Sequence, residues 1–232
     1  VAVLEFKAWP KTPRLMKPMV VTEKIDGTNG CVVISRQQGW ASPSHNFVTV
    51  PIENTADAYL VGAQSRKRML PMGPRGMDDL SWQKEDNSGF ARWVRENATE
   101  LAETLGEGYH YGEWYGQKIQ RGYGLSGRRF ALFNVSRYAD VVNDPTKDPI
   151  PGLETVPVLY EGEFDTRMVK YVYDDLMTNG SRAVPGYMNP EGVIVFHTAS
   201  QQVYKYLGPD DRPKSVLQLQ ALPDGSALAE AA

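Results

Sequence analysis

Apolar and polar positions follow strand-like patterns over several short stretches and a helical period over only two. The β-branched runs Val20-Val21-Thr22-Glu23-Lys24 and Cys31-Val32-Val33-Ile34-Ser35 flank the turn-rich segment Asp26-Gly27-Thr28-Asn29-Gly30, which predicts a hairpin with Lys24 aimed from a strand end. Further strands are predicted at 109–115, 130–135, 192–197 and 202–207. Phe90, Val94, Ala98, Leu101 and Leu105 recur at helical spacing, Asp86, Asn87 or Ser88 can cap the start, and Gly106 follows the end, so one amphipathic helix is expected there. A second helix is expected over 166–177, with Met168, Val172 and Leu176 on one face and Asn179-Gly180 as the stop. The Pro-, Asp- and Asn-rich stretch 141–152 reads as a surface loop, and the chain after Pro213 as a tail, helical or disordered. Periodicity therefore predicts an α+β protein.

Composition narrows the setting. With 232 residues, 41% of them hydrophobic and 23% charged, the chain can bury one sizeable core or two small ones. No apolar run approaches the roughly 20 residues of a membrane helix, and the first residues lack a secretory pattern, so no membrane partner and a cytoplasmic location are expected. The single cysteine, Cys31, excludes an internal disulfide and a cysteine-based zinc site. A formal net charge of −3 means that any phosphate-binding surface must be local. Basic residues gather at Arg66-Lys67-Arg68 and Arg128-Arg129, and acidic ones at Asp78-Asp79, from Glu103 to Glu107 and at Asp210-Asp211; the ordinary reading of such runs is a solvated face.

Chemistry concentrates in Glu23-Lys24-Ile25-Asp26-Gly27-Thr28-Asn29-Gly30. A lysine acts as a nucleophile only when deprotonated, so its pKa must fall from about 10.4 through desolvation or nearby cations. Gly27 permits a close turn behind the lysine, and Asp26 adds a carboxylate suited to a hydrated metal. Four residues of the form Lys-x-Asp-Gly also arise by chance, as an exposed lysine before a turn.

These residues resemble the first motif of the covalent nucleotidyltransferase superfamily of polynucleotide ligases and capping enzymes, and the chain looks closest to ATP-dependent RNA ligases of the bacteriophage double-strand type. Further resemblances follow in that family's order: Tyr111-Gly112-Glu113-Trp114-Tyr115-Gly116, then Phe130-Ala131-Leu132-Phe133-Asn134-Val135, Glu191-Gly192-Val193-Ile194-Val195-Phe196, and Val203-Tyr204-Lys205-Tyr206. Ser65-Arg66-Lys67-Arg68 and Asp86-Asn87-Ser88-Gly89-Phe90 resemble segments that phage RNA ligases carry between the first and third motifs.

The resemblance implies a nucleotidyltransferase domain, an ATP-grasp-like ligase adenylylation fold of two antiparallel sheets flanked by helices, over residues 1–214, with residues 215–232 as a C-terminal tail. It implies ATP and Mg²⁺ or Mn²⁺ as cofactors, and as substrate RNA with 3′-OH and 5′-phosphate ends, in a nicked duplex. Lys24 would carry AMP, Lys205 would be a cation at the α-phosphate, and Asp26 and Glu191 would hold the metal. Glu113 would accept from the ribose, Glu23 from the adenine amino group, and Phe133 would stack on the base. Arg66 would contact phosphate, Ile25 would line the nucleotide, and Asn29 would contact the nucleotide or the ligated ends. Location would be the host cytoplasm if the gene is phage-borne.

Without the resemblance, blander readings stand. Phe130 and Phe133 are ordinary core residues, Glu191 a turn residue, Lys205 the wet side of an edge strand, and Trp114 and Tyr115 packing. Glu113, a carboxylate on a largely apolar strand, needs a partner in either case. His45, His110 and His197 lack metal-ligand spacing. The chain also departs from the family pattern. The fifth motif usually has two lysines, so a contact is absent or supplied elsewhere, as by Lys214, and Asn134 stands where relatives often have Asp. The sequence after the fifth motif leaves no room for an oligonucleotide-binding barrel, so the core would bind nucleic acid by its own surface or with a separate subunit. Asn29 favours an RNA ligase over a minimal ATP-dependent DNA ligase or a capping-type guanylyltransferase, whose members commonly have Arg there, and the short segment before Lys24 disfavours an NAD-dependent ligase. A nucleotide-dependent RNA-end binding protein without catalysis is the reading from another class.

Overall fold

Residues 4–42, 44–74 and 81–208 are described by a computed structural model of the chain. Lys214, the tail at 215–232 and the acidic pairs Asp78-Asp79 and Asp210-Asp211 lie outside the described residues.

Among the described residues ten strands form two sheets. In chain order these are β1 (Pro18–Lys24), β2 (Thr28–Gln37), β3 (Val48–Pro51), β4 (Ala58–Ser65), β5 (Gly108–Gly116), β6 (Arg128–Leu132), β7 (Leu153–Thr155), β8 (Val158–Glu163), β9 (Gly192–His197) and β10 (Gln202–Tyr206). The first sheet has the order β10-β9-β1-β8 and is antiparallel throughout. The second has the order β3-β4-β2-β5-β6-β7 and is antiparallel except for a three-residue parallel pairing of β7 on β6.

The expected hairpin does not form. β1 pairs with β8 and β9, and β2 with β4 and β5, so residues 25–27 carry the chain from one sheet to the other. Packing at Gly27 explains the crossing: a Cβ there would collide with the Trp114 carbonyl oxygen and crowd the Tyr115 Cβ, so the turn is pressed against β5 instead of folding back on β1.

Helices cover the outer face of each sheet. The single helix expected from Phe90 to Leu105 is two, α1 (Phe90–Glu96) and α2 (Ala98–Leu105), because Asn97 leaves helical geometry at φ −116° and its amide bonds back to the Trp93 carbonyl at 2.8 Å. The strand expected over 130–135 stops at Leu132, and α3 (Val135–Val142) starts under an N-cap in which Asn134 accepts from the Arg137 N–H. The second expected helix is α4 (Thr166–Asn179), capped by Asp165 and ended at Gly180.

The largest core lies between α1 and α2 and the second sheet, around Phe90, Trp93, Trp114 and Phe130, whose ring centroids are 4.9 to 6.0 Å apart. A smaller core joins Val169, Val172 and Leu176 of α4 to Met19, Val21, Val193 and Val195 of the first sheet. A third, of Ile25, Tyr115, Tyr123, Ala131 and Val156, forms the seam where the sheets meet. Among the described residues no helix is long and apolar enough to cross a membrane.

Candidate active site

Strand alternation splits the first motif in two. Glu23 and Lys24 are neighbours on β1, so their side chains leave opposite faces of the first sheet. Glu23 goes inward and is 1% exposed. One carboxylate oxygen accepts from the Ser181 hydroxyl at 2.6 Å, and the other from the backbone N–H groups of Arg182 and Ala183 at 2.7 and 2.9 Å. In this structure both carboxylate oxygens of Glu23 clamp the segment that follows α4. Ile25 is buried in the apolar seam.

Lys24 takes the other direction. It ends β1 opposite Gly192, and its ammonium makes an ion pair with Glu191, the residue that precedes β9. Its side chain is 24% exposed and that of Glu191 18%, so the amine is held at the seam instead of trailing in bulk water. Two cavities elsewhere on the described surface, of about 690 and 440 Å³, are lined by other residues.

Two more carboxylates surround this pair. Asp26 accepts from Arg121 Nε at 2.9 Å, and its backbone N–H donates to the Tyr123 hydroxyl at 2.8 Å. Arg121 reaches on to Asn189, donating to its side chain at 2.9 Å and its carbonyl at 3.0 Å, and so ties the turn at Asp26 to the segment that carries Glu191. Glu113 of β5 accepts from the Gly27 N–H at 3.1 Å and from the Asn29 amide at 2.9 Å. Burial pushes the Glu113 carboxyl up to about 7; Lys24 and the Gly27 N–H oppose that rise, while Glu191 and Asp26 add to it. Three acids and one amine thus share a single electrostatic neighbourhood.

The remaining expected residues are distributed around it. Phe133 stands just past β6, its N–H bonded to the Tyr111 carbonyl at 3.0 Å, and is 43% exposed where Phe130 is wholly buried. Arg66 is exposed at the end of β4, next to Ser65, which pairs with Gly30. Lys205 is exposed on the edge strand β10 opposite Ile194, on the same face as Lys24 but two strands away. Arg121, Tyr123 and Ser181 were missed by sequence reasoning: each lies in a turn or loop and acquires its partner only through tertiary folding. Among the described residues no group of three or more His, Cys, Asp and Glu side chains forms a ready metal cage. Asp26 and Glu191 offer oxygen ligands of the kind a hard divalent ion takes, and each is paired here with one cation.

No curated protein matches the chain. Among solved structures it is similar to mutants of Naegleria gruberi RNA ligase. One with AMP and Mn is 15% identical, with 87% of this chain and 51% of that chain covered and a TM-score of 0.48. Another with ATP and Mn is 15% identical, with 87% and 50% covered and a TM-score of 0.47. The chain spans about half the length of these solved relatives. A family model described as RNA ligase matches residues 17–207, from just before the strand that carries Lys24 to just past the strand that carries Lys205. On that match, which takes in every strand and helix described above, the chain belongs to the RNA ligase family.

Proposed function

We propose that this chain is the nucleotidyltransferase part of an ATP-dependent RNA ligase, of the bacteriophage double-strand type, which joins 3′-OH and 5′-phosphate ends in a nicked duplex. The observation that carries the reading is the Lys24 amine, fixed at a strand end by Glu191 with Asp26 and Glu113 beside it.

In the first step Lys24 Nζ, having lost its proton, attacks the α-phosphorus of ATP; an N–P bond forms and the P–O bond to pyrophosphate breaks. A 5′-phosphate oxygen then attacks the same phosphorus, breaking the N–P bond and returning the amine. Finally the 3′-hydroxyl oxygen attacks the 5′-phosphorus and AMP leaves. Glu113 is poised to accept from the ribose, and its anchorage to Gly27 and Asn29 keeps the lysine turn and the sugar site in register. Phe133 offers an open ring to the base, while Arg66 and Lys205 bring cations towards phosphate. Glu23 acts indirectly by fixing the segment behind the strand. A divalent ion, Mg²⁺ or Mn²⁺, held by Asp26 and Glu191 would neutralise charge on the α-phosphoryl oxygens and compete with Lys24 for Glu191.

Incubation with ATP and Mg²⁺, followed by intact mass measurement, tests the reading. A gain of one AMP that is lost completely in Lys24→Ala is expected; an unchanged mass for the native protein favours a non-catalytic RNA-end binder. Offering GTP in its place separates a capping enzyme, and equal sealing of all-DNA nicks would make the chain a general polynucleotide ligase.

A further inference from the structure

A cavity of about 440 Å³ lies on the helix side of the second sheet, lined among others by Lys84, Asp86, Gly89, Arg92 and Arg128. Its floor is a loop in a costly conformation: Asn87, Ser88 and Gly89 follow one another at φ +39°, +59° and +80°, and two of the three are not glycine. The loop is fastened to the neighbourhood of Lys24. The Thr28 hydroxyl donates to the Asn87 side chain at 3.3 Å, and the Trp114 indole donates to the Ser88 carbonyl at 2.9 Å.

The cations converge. Arg128 Nη1 and Arg92 Nη2 both lie within 3.4 Å of the point where a Cβ on Gly89 would sit, close enough to each other to address one phosphate group. Neither guanidinium, nor the Lys84 ammonium, forms an ion pair within 4 Å among the described residues. Asp86 contributes one negative charge against three positive ones, and it also accepts from the Arg92 backbone N–H at 3.1 Å. Cations brought together beside a bare glycine repel one another unless an anion joins them. The position selects the anion. Thr28 and Trp114 point to the opposite side of the sheet from Asn29 and Glu113, so the cavity sits at the rim behind the nucleotide-side residues.

We propose that Arg92, Arg128 and Lys84 form a subsite for a backbone phosphate of the RNA strand, separate from the residues that handle ATP. This rests on the RNA-ligase reading above. The subsite contacts phosphate and carries no base preference.

The test uses the full chain, the single variants Arg92→Ala and Lys84→Ala, and their double variant. Both residues are exposed and neither contributes to a core. Binding to a labelled, nicked, 5′-phosphorylated RNA duplex is measured by anisotropy over a salt series, and AMP transfer to Lys24 is followed by mass against ATP concentration. The double variant should bind RNA roughly tenfold more weakly, irrespective of sequence, with a salt slope shallower by about 1 to 2, and Arg92→Lys should retain most of the affinity. AMP transfer should be unchanged. RNA affinity and slope equal to those of the native chain would overturn the subsite. A raised KM for ATP with unaltered RNA binding would also overturn it, by assigning the cations to the triphosphate tail. Failure of the native chain to take up AMP would sink the catalytic reading alone, since the RNA arm decides the subsite by itself.

Discussion

The two faces of β5 show how one strand can serve stability on one side and chemistry on the other. Towards α1 and α2 it presents His110 and Trp114, both buried, with both ring nitrogens of His110 bonded, to the Tyr138 hydroxyl at 2.8 Å and the Gly106 carbonyl at 2.9 Å. Towards the opposite face it presents Tyr109 and Tyr111, more than half exposed, and Glu113, buried but neighboured by charge. The closed face satisfies its polar atoms internally and fills its volume with rings. The open face leaves aromatic surface uncovered and holds a carboxyl well above its ordinary range, two arrangements that cost stability and make sense where a ligand will complete them.

The sharpest way to break this contrast is to open the closed face. Phe130 is fully buried and packs on Phe90 at 4.9 Å and Trp93 at 5.6 Å. Phe130→Ala should therefore destabilise the protein by about 3–5 kcal/mol, read from urea unfolding midpoints. A loss below about 1 kcal/mol would mean that the cluster is not the main core.

Next comes the charge on the open face. Burial raises the Glu113 carboxyl from its ordinary 4.5 to about 7, so its protonated form favours folding. Its contribution is fully present below pH 4.5 and is lost as pH rises through 7, a swing of about 3 kcal/mol. Asp86 and Glu154, also raised by burial, slope the same way, whereas His110, lowered by burial, slopes oppositely. Unfolding of the native chain and of Glu113→Gln is compared from pH 4.5 to 8, which cancels those shared terms. The difference between the two proteins should change by that amount across the window; a constant difference would return Glu113 to an ordinary acid.

The same strand shows what sequence could and could not tell. Its length and the position of Glu113 were legible, because alternation and the motif order both mark them. The partner strands were not. Residues 20–24 and 31–35 looked like a hairpin because both are β-branched and a turn lies between them, yet the Gly27 contact with β5 sends them to different sheets. α3 was missed since Val135 reads as the end of the preceding strand and Val141 as the start of a Pro- and Asp-rich loop, which leaves too short a stretch between them to mark a helix, and the break at Asn97 depends on one amide turning back to the Trp93 carbonyl. In the site, Lys24, Asp26, Glu113 and Glu191 were named from the sequence and do come together. The partners of Glu23 in the segment after α4 were not legible, because a motif position gives no sign of which face of a strand its side chain leaves by.

The smallest expected effect makes the cleanest comparison. Phe133 lies three residues beyond Phe130 and is 43% exposed where Phe130 is 0% exposed. Removing a ring that already faces water forfeits little burial, so Phe133→Ala should change stability by no more than about 0.5 kcal/mol. If the ring stacks on a base, the same substitution removes about 1–3 kcal/mol of binding, which would raise the KM for ATP in Lys24 adenylylation by roughly five- to a hundredfold. The two readouts must move apart: a stability loss like that of Phe130→Ala would place Phe133 in the core, and an unchanged KM would leave it as plain exposed surface. Only the combination of an intact fold with weakened nucleotide binding fits a face kept open for a ligand.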